Sequence, residues 1–286
     1  MVTKTIVTVL FNRDENELGA FERLYLDSIV RHCGSDTQLI LVENYSPKRA
    51  ETLRLLDGWE SQLKARLGDI RVVYNTRNLG FAAANNQGLV AAEGETIFMI
   101  NPDVRITESA LDSMAEKLQR NEEYGIVGPL TPNPREGAQR IFFDVLNSYS
   151  DEELRRIDEF AERVRATYPD KERIVNSLSA SSWGLRSGLV QHIGFLDKRF
   201  YPAYWEDLDY AVRAKNAGYK LIVDPQTFVY HGKVQNFGYG RVFLDHFKPS
   251  FFMNMGRFLI KHGPTEVMKE VSNWYVGLFK GKNVKL

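Results

Sequence analysis

The chain has 286 residues, 43% hydrophobic, 26% charged and 12% aromatic, an ordinary globular composition that excludes disordered, collagenous and coiled-coil classes. Thirty-seven Lys plus Arg balance thirty-seven Asp plus Glu, so no global positive field holds a nucleic acid through its phosphates, and a charged ligand must be bound locally. The one cysteine, Cys33, can form neither an internal disulfide nor a multi-thiolate metal site, which points to a reducing compartment.

The first eleven residues alternate Thr with Val and Ile and carry no small-residue cleavage site. They are expected to form a strand, not a signal peptide, and the protein is expected in the cytoplasm. No apolar run reaches the roughly 18 residues that a spanning helix requires. Short β-branched runs at 5–10, 38–43, 70–74, 96–100 and 125–127 alternate with helical periods at 18–31, 47–66, 81–92 and 108–120. This is the pattern of a parallel sheet with crossover helices, with Thr107 offered as the N-cap of the last. Such sheets bind ligands beyond the carboxyl ends of their strands, where Asn12, Glu43, Asn44, Asn75 and 101–103 fall.

After Gly128 the pattern breaks at Pro129, Pro132 and Pro134, and 131–175 is expected to be an insertion carrying an exposed charged helix over 151–165. Ordered segments then follow at 177–186 and 194–204, with a helix over 206–217 and strands at 220–223 and 227–231. The domain reading is 1–240, split into a half with a nucleotide-binding type of layout, 1–128, and a second half, 129–240, that contains the insertion. The extension 241–286 is basic and aromatic, with eight Lys plus Arg against three acids.

Asn101-Pro102-Asp103 follows a buried strand, so the Asp103 carboxylate projects at the strand's end. A lone carboxylate with open positions suits magnesium or manganese, which share their coordination with phosphate oxygens; a helix-capping turn is the alternative. Tyr204-Trp205-Glu206-Asp207-Leu208-Asp209 sets three carboxylates at a helix start, where the dipole keeps them ionised, as a base must begin. Glu206 and Asp207 point in different directions from the helix, and Asp209 stands four residues before Arg213 in ion-pair spacing. The aromatic flank Tyr201, Tyr204 and Trp205 suits stacking on sugar rings. His231 ends a strand at the same edge and is either a metal ligand or a hydrogen-bonded strand-end histidine. The small-residue helix after Asn78-Leu79-Gly80-Phe81 allows close approach of a ligand or of the sheet. The turn after the first strand has neither G-x-G-x-x-G nor G-x-x-x-x-G-K-[ST], so dehydrogenase and kinase readings fall.

Taken together, these segments resemble the inverting glycosyltransferases of family two with the GT-A fold, especially the rhamnosyltransferase-like branch. The markers are 8–13, 42–46, Asn78-Leu79-Gly80-Phe81 with Asn85-Asn86, Asn101-Pro102-Asp103, Gly194-Phe195-Leu196-Asp197 and Trp205-Glu206-Asp207-Leu208-Asp209. The resemblance implies a Rossmann-like mixed α/β sheet flanked by helices, with an inserted helical segment and a helical C-terminal tail. It implies that Phe11, Asn12, Arg13, Glu43, Asn44, Asn78, Gly80, Phe81, Asn86 and Asn101 bind a nucleoside diphosphate sugar of UDP or dTDP type. Glu43 stands where the family more often has Asp. By the same resemblance Asp103 and His231 hold Mn2+ or Mg2+, Asp207 is the catalytic base, and Glu206, Trp183 and Trp205 meet a glycan or lipid-linked glycan acceptor. Trp183 either stacks on that acceptor or fills the core.

The tail, Phe251 to Lys261 followed by Trp274, Tyr275, Leu278 and Phe279, has two readings: an amphipathic segment on the inner face of an anionic membrane, or a core-packing or dimerising helix pair. A catalytically silent nucleotide- or glycan-binding module of the same fold is the rival of another class, and a transferase acting on modified nucleic acid is a third reading. Neutral net charge argues against nucleic acid as a partner.

Overall fold

The computed structural model describes residues 2–132, 137–232, 249–266 and 268. The nearly unbroken apolar runs of β1 (Lys4–Leu10) and β2 (Thr37–Glu43) are buried along their length, as strands covered on both faces must be. With β3 (Asp69–Tyr74) and β4 (Thr96–Ile100) they form a parallel set in the order β3-β2-β1-β4. The crossovers are α1 (Glu15–Ala20), running through a π-helical turn (Phe21–Leu26) into α2 (Asp27–His32), then α3 (Arg49–Arg66) and α4 (Phe81–Ala91). The small residues of α4 serve the sheet: a Cβ on Gly88 would overlap the Val7 side chain of β1.

The second half leaves the alternation of strand and helix, and the sheet is mixed, as the resemblance implies. β5 (Val104–Arg105) and α5 (Ala110–Arg120) lead to β6 (Tyr124–Leu130). β8 (Ser182–Arg186) is wedged antiparallel between β4 and β6, making the sheet mixed, and with β9 (Lys220–Phe228) and β7 (Arg173–Val175) beyond β6 the order is β3-β2-β1-β4-β8-β6-β9-β7. The two strands expected at 220–223 and 227–231 are one long strand, β9 (Lys220–Phe228), followed by a two-residue β10 (Tyr230–His231), which leaves the main sheet to pair with β5. α7 (Ser187–Ile193) and α8 (Glu206–Asn216) flank this half.

Two further expectations need correction, and one alternative is decided. Thr107 does not cap α5: its hydroxyl donates to the Phe228 carbonyl at 2.6 Å, and Ser109 holds the N-cap position without a side-chain bond. The insertion is not an exposed appendage, because α6 (Asp151–Thr167) buries Leu154, Ile157, Phe160, Ala161 and Val164 in the main core. Most of its charges lie on the outer face of an amphipathic helix, while Glu153 is buried and Asp158 turns to Arg105, and β7 closes the sheet against β9. The tail helix α9 (Pro249–His262) packs Phe258 with Trp205, Leu208 and Val212, which is the core-packing reading for that part. Trp274, Tyr275, Leu278 and Phe279 lie outside the described residues.

Among the described residues no helix is long and apolar enough to cross a membrane.

Candidate functional site

The parallel strands end in register: Leu10 pairs with Glu43 and Glu43 with Tyr74. The segments that follow them therefore emerge at one edge of the sheet, where polar side chains bond mainly to one another. The Asn44 carboxamide donates to Asn78 Oδ1 at 3.0 Å and accepts from Asn75 Nδ2 and the Leu79 N–H, both at 3.0 Å. Asn78 Oδ1 also accepts from the Gly80 N–H at 2.8 Å, closing the tight turn in which Gly80 takes a φ of 81°. Asn12, buried, donates from Nδ2 to Thr52 Oγ1 at 3.0 Å and from its N–H to Ser46 Oγ at 3.1 Å. Glu43 is buried too: Oε1 accepts from the Ser46 N–H at 2.7 Å, and Oε2 lies 3.3 Å from Arg49 Nη1, which offsets its charge. Arg13 is turned to Glu17, with its N–H donating to Oε2 at 2.7 Å. Phe11 is half-buried beside Asn12.

One strand further along, the Asn101 N–H donates to the Ser181 carbonyl at 2.9 Å and the Asn101 carbonyl accepts from Val104 at 3.2 Å. That turn leads into β5, whose pairing with β10 sets His231 opposite Val104. In consequence His231 Nε2 lies 3.4 Å from Asp103 Oδ1, with both side chains partly open to solvent. The insertion reaches this edge: the Leu146 N–H donates to Tyr230 Oη at 3.2 Å, and burial, helped by the Asp103 charge, pushes the pKa of the Tyr149 phenol up.

The Asp103–His231 pair meets the chemistry of a divalent-cation site. It offers one carboxylate oxygen and one imidazole nitrogen on neighbouring strand ends, and His231 Nδ1 is buried without a partner among the described residues. No group of three or more His, Cys, Asp or Glu gathers among the described residues, so a cation held here would take its remaining positions from ligand or water oxygens.

The third component is the turn before α8. The Phe81 N–H at the head of α4 donates to the Pro202 carbonyl at 2.7 Å, and a Cβ on Gly80 would press on the Tyr201 ring at 2.8 Å. This contact ties the 78–81 turn to the 201–207 segment. Tyr204 and Trp205 both adopt left-handed backbone, with φ of 78° and 76°, a costly state for two bulky residues in succession. The strained turn delivers Glu206 and Asp207 to the positive end of α8, where Asp207 Oδ1 also accepts from the Leu208 N–H at 2.9 Å. Asp209 faces inward and is met by Arg213 at 3.0 Å, the anticipated ion pair, and by Lys261 and His262 of α9 at 2.6 and 2.7 Å.

Some expected contacts are taken by the protein itself. Asn86 exchanges two hydrogen bonds with the Leu196 backbone, at 2.8 and 3.0 Å, and so holds the 194–197 turn with one of its two N–H groups and one lone pair of its carbonyl oxygen. Trp183 is 0% exposed and packed in the main core, so it fills the core and presents no face for stacking. Trp205 is 2% exposed, its ring lying 5.6 and 5.2 Å from those of Phe251 and Phe258. The aromatic ring left open at the turn is that of Tyr201. Sequence reasoning missed Arg49 opposite Glu43, the hydroxyls of Ser181 and Ser182, which are buried beside Asn101 without partners among the described residues, and Asn254 of α9. The Pro47 to Arg66 helix signal contained Arg49, but nothing local revealed the other three.

The family described as glycosyl transferase family 2 matches residues 5–172. Among curated proteins, a galactofuranosyl glycosyltransferase of Leishmania donovani is 24% identical over 190 residues, 56% of this chain and 42% of that one. An N-acetylglucosaminyl-diphospho-decaprenol L-rhamnosyltransferase of Mycobacterium tuberculosis is 25% identical over 205 residues, 64% of this chain and 65% of that one. The chain thus spans less than half of the first relative and just under two thirds of the second. Among solved structures, S. aureus TarS 1–349 aligns over 100% of this chain and 76% of its own, with a TM-score of 0.60 and 14% identity. GalNAc-T7 with UDP, GalNAc and Mn2+ aligns over 82% of this chain and 44% of its own, with a TM-score of 0.60 and 13% identity. At such identities the likeness establishes the fold, the GT-A glycosyltransferase architecture.

Proposed function

This chain belongs to glycosyl transferase family 2, and from that premise we propose that it is a divalent-cation-dependent, inverting transferase. It moves a hexosyl or deoxyhexosyl group from a UDP- or dTDP-type sugar to a hydroxyl of a glycan or lipid-linked glycan. The observation that carries the reading is the pair Asp103 and His231, 3.4 Å apart at the strand ends, at the edge from which the 78–81 turn bonds to the segment that opens α8.

In this reading Asp207 is the catalytic base. One of its carboxylate oxygens takes the proton of the acceptor hydroxyl as that oxygen bonds to the anomeric carbon, while the carbon's bond to the diphosphate breaks on the opposite face, inverting configuration. Asp207 stands in the first turn of α8, at the positive end of the helix. Glu206 holds a neighbouring acceptor group. The nucleoside lies along 11–13, 43–44 and 78–81, where Asn44, Asn75 and Asn78 fix the turns that contact it, and Asn101 abuts the diphosphate. When bound between Asp103 and His231, Mn2+ or Mg2+ supplies positive charge to the diphosphate. Tyr201 replaces Trp183 and Trp205 as the ring open to an acceptor sugar.

A lipid-linked acceptor is supported by the name of the mycobacterial relative and by α9. Phe252, Met253, Leu259 and Ile260 are exposed on that helix, within an extension carrying five more basic than acidic residues. Such a stripe suits peripheral contact with the anionic inner face of a membrane. The testing experiment is a thermal-shift panel of UDP, dTDP, GDP and CDP, with and without Mn2+, on the native chain and Asp103→Ala. Stabilisation by one diphosphate that requires both Mn2+ and Asp103 is the expected result. Stabilisation by none would move the weight to a silent module of the same fold.

A further inference from the structure

We propose that Asn254, on the C-terminal helix α9, is a positioning residue for the catalytic turn, and that α9 is therefore part of the active site. The proposal rests on the transferase reading above, in which Asp207 is the base.

Asn254 is 0% exposed. Its Nδ2 lies 2.9 Å from the carbonyl oxygen of Ala203, 3.2 Å from that of Tyr204 and 3.4 Å from that of Tyr201. Its Oδ1 accepts from Arg257 Nη1 at 2.6 Å, which fixes which end of the carboxamide faces the loop. An amide nitrogen has two N–H groups, so three converging carbonyls share them. These carbonyls belong to the segment where Tyr204 and Trp205 take left-handed backbone, and it is that reversal which turns them inward together. A strained turn persists only where its surroundings over-determine it, and buried carbonyls without a donor favour a relaxed turn that reaches water.

Glu206 and Asp207 follow immediately, so the backbone path that Asn254 fixes sets the direction of the base. The same helix grips the next turn of α8 through Lys261 and His262 on Asp209. One helix thus holds the segment on both sides of Asp207. No local motif marks Asn254, because its partners lie some fifty residues upstream. The residues proposed to hold the diphosphate and the cation belong to other segments, and the 78–81 turn meets this one only at Tyr201 and Pro202, so loss of Asn254 falls on turnover far more than on donor binding.

The test compares Asn254→Asp, nearly the same shape without the N–H donors, and Asn254→Gln, which keeps them. Ile29→Ala, in the separate cluster beneath β1 and β2, serves as a control of matched stability loss. UDP-N-acetylglucosamine, UDP-galactofuranose and dTDP-L-rhamnose, each with Mn2+, are the donors tried, and hydrogen exchange is followed across 201–210. For Asn254→Asp the expected result is a fall in kcat of about a hundredfold, the scale of a 1 Å misplacement, with donor KM within about twofold. Exchange at 203–209 is faster, and Asn254→Gln recovers part of both effects. The proposal is overturned if Asn254→Asp keeps its kcat, if Ile29→Ala loses kcat equally, or if exchange across 203–209 is unaltered. Native chain inactive towards every donor would overturn the transferase reading instead, and the exchange comparison would then decide alone whether Asn254 holds the turn.

Discussion

Asp103 Oδ1 and His231 Nε2 stand 3.4 Å apart because the two residues of β10 leave the long sheet to pair with β5. A cation held by two protein groups and shared with a ligand depends strongly on each of them. Asp103→Ala and His231→Ala should each weaken Mn2+-dependent diphosphate binding by about tenfold or more, measured by calorimetry, without change in the cation-free thermal midpoint. Equal Mn2+ affinity in either variant would remove that residue from the site.

Asn86 gives the opposite expectation. Its two bonds to Leu196 join α4 to the 194–197 turn, so Asn86→Ala leaves buried backbone groups unpaired. It should cost about 1–3 kcal/mol of stability in urea titrations while diphosphate affinity stays as in the native chain. Loss of affinity at unchanged stability would restore Asn86 to the donor site.

The insertion is locked to the body by charge as well as by the core. Arg105, 1% exposed, donates to Asp27 at 2.8 Å and to Asp158 of α6 at 3.0 and 2.7 Å. Removing one partner of a buried pair strands the other, so Arg105→Ala should cost about 3–5 kcal/mol. A urea midpoint within error of the native value would show that the network carries no weight.

Several carboxyls carry acid sensitivity. Burial alone would raise the pKa of Asp27, but Arg105 and Arg31 outweigh it and hold it below its ordinary value. Arg199, then Lys261, hold Asp197 well below the carboxylate range. For a depressed folded-state pKa the stability contribution is full above the unfolded value, roughly pH 4, and is lost as pH falls through the folded value. The thermal midpoint should therefore be level from neutrality to about pH 5 and decline below about pH 4. Asp27→Asn should make the decline shallower, and an unchanged slope in that variant would contradict the assignment.

Much of this molecule is legible in its sequence where the signal is local. The parallel strands, α3, α4, α5 and α8 follow from apolar period and flanking residues, and the Asp209–Arg213 pair from i,i+4 spacing. The wedging of β8 between β4 and β6, the burial of α6 and the docking of α9 on α8 depend on partners distant in the chain, which no local period encodes. The same limit applied to single residues. Asn86 and Trp183 sit in the right segments, but only the fold shows that a turn has taken one and the core the other.

The central claim is that Asp207 deprotonates the acceptor in a cation-assisted transfer. Its most direct test is release of nucleoside diphosphate from a panel of UDP- and dTDP-sugars with Mn2+ and a glycan or polyprenyl-diphosphate-sugar acceptor, comparing native chain with Asp207→Asn. The account predicts turnover with one donor, a product of inverted anomeric configuration, and a loss of about 10²–10⁴-fold in kcat for Asp207→Asn, with diphosphate binding retained. Native turnover undiminished in Asp207→Asn, or a product of retained configuration, would contradict it.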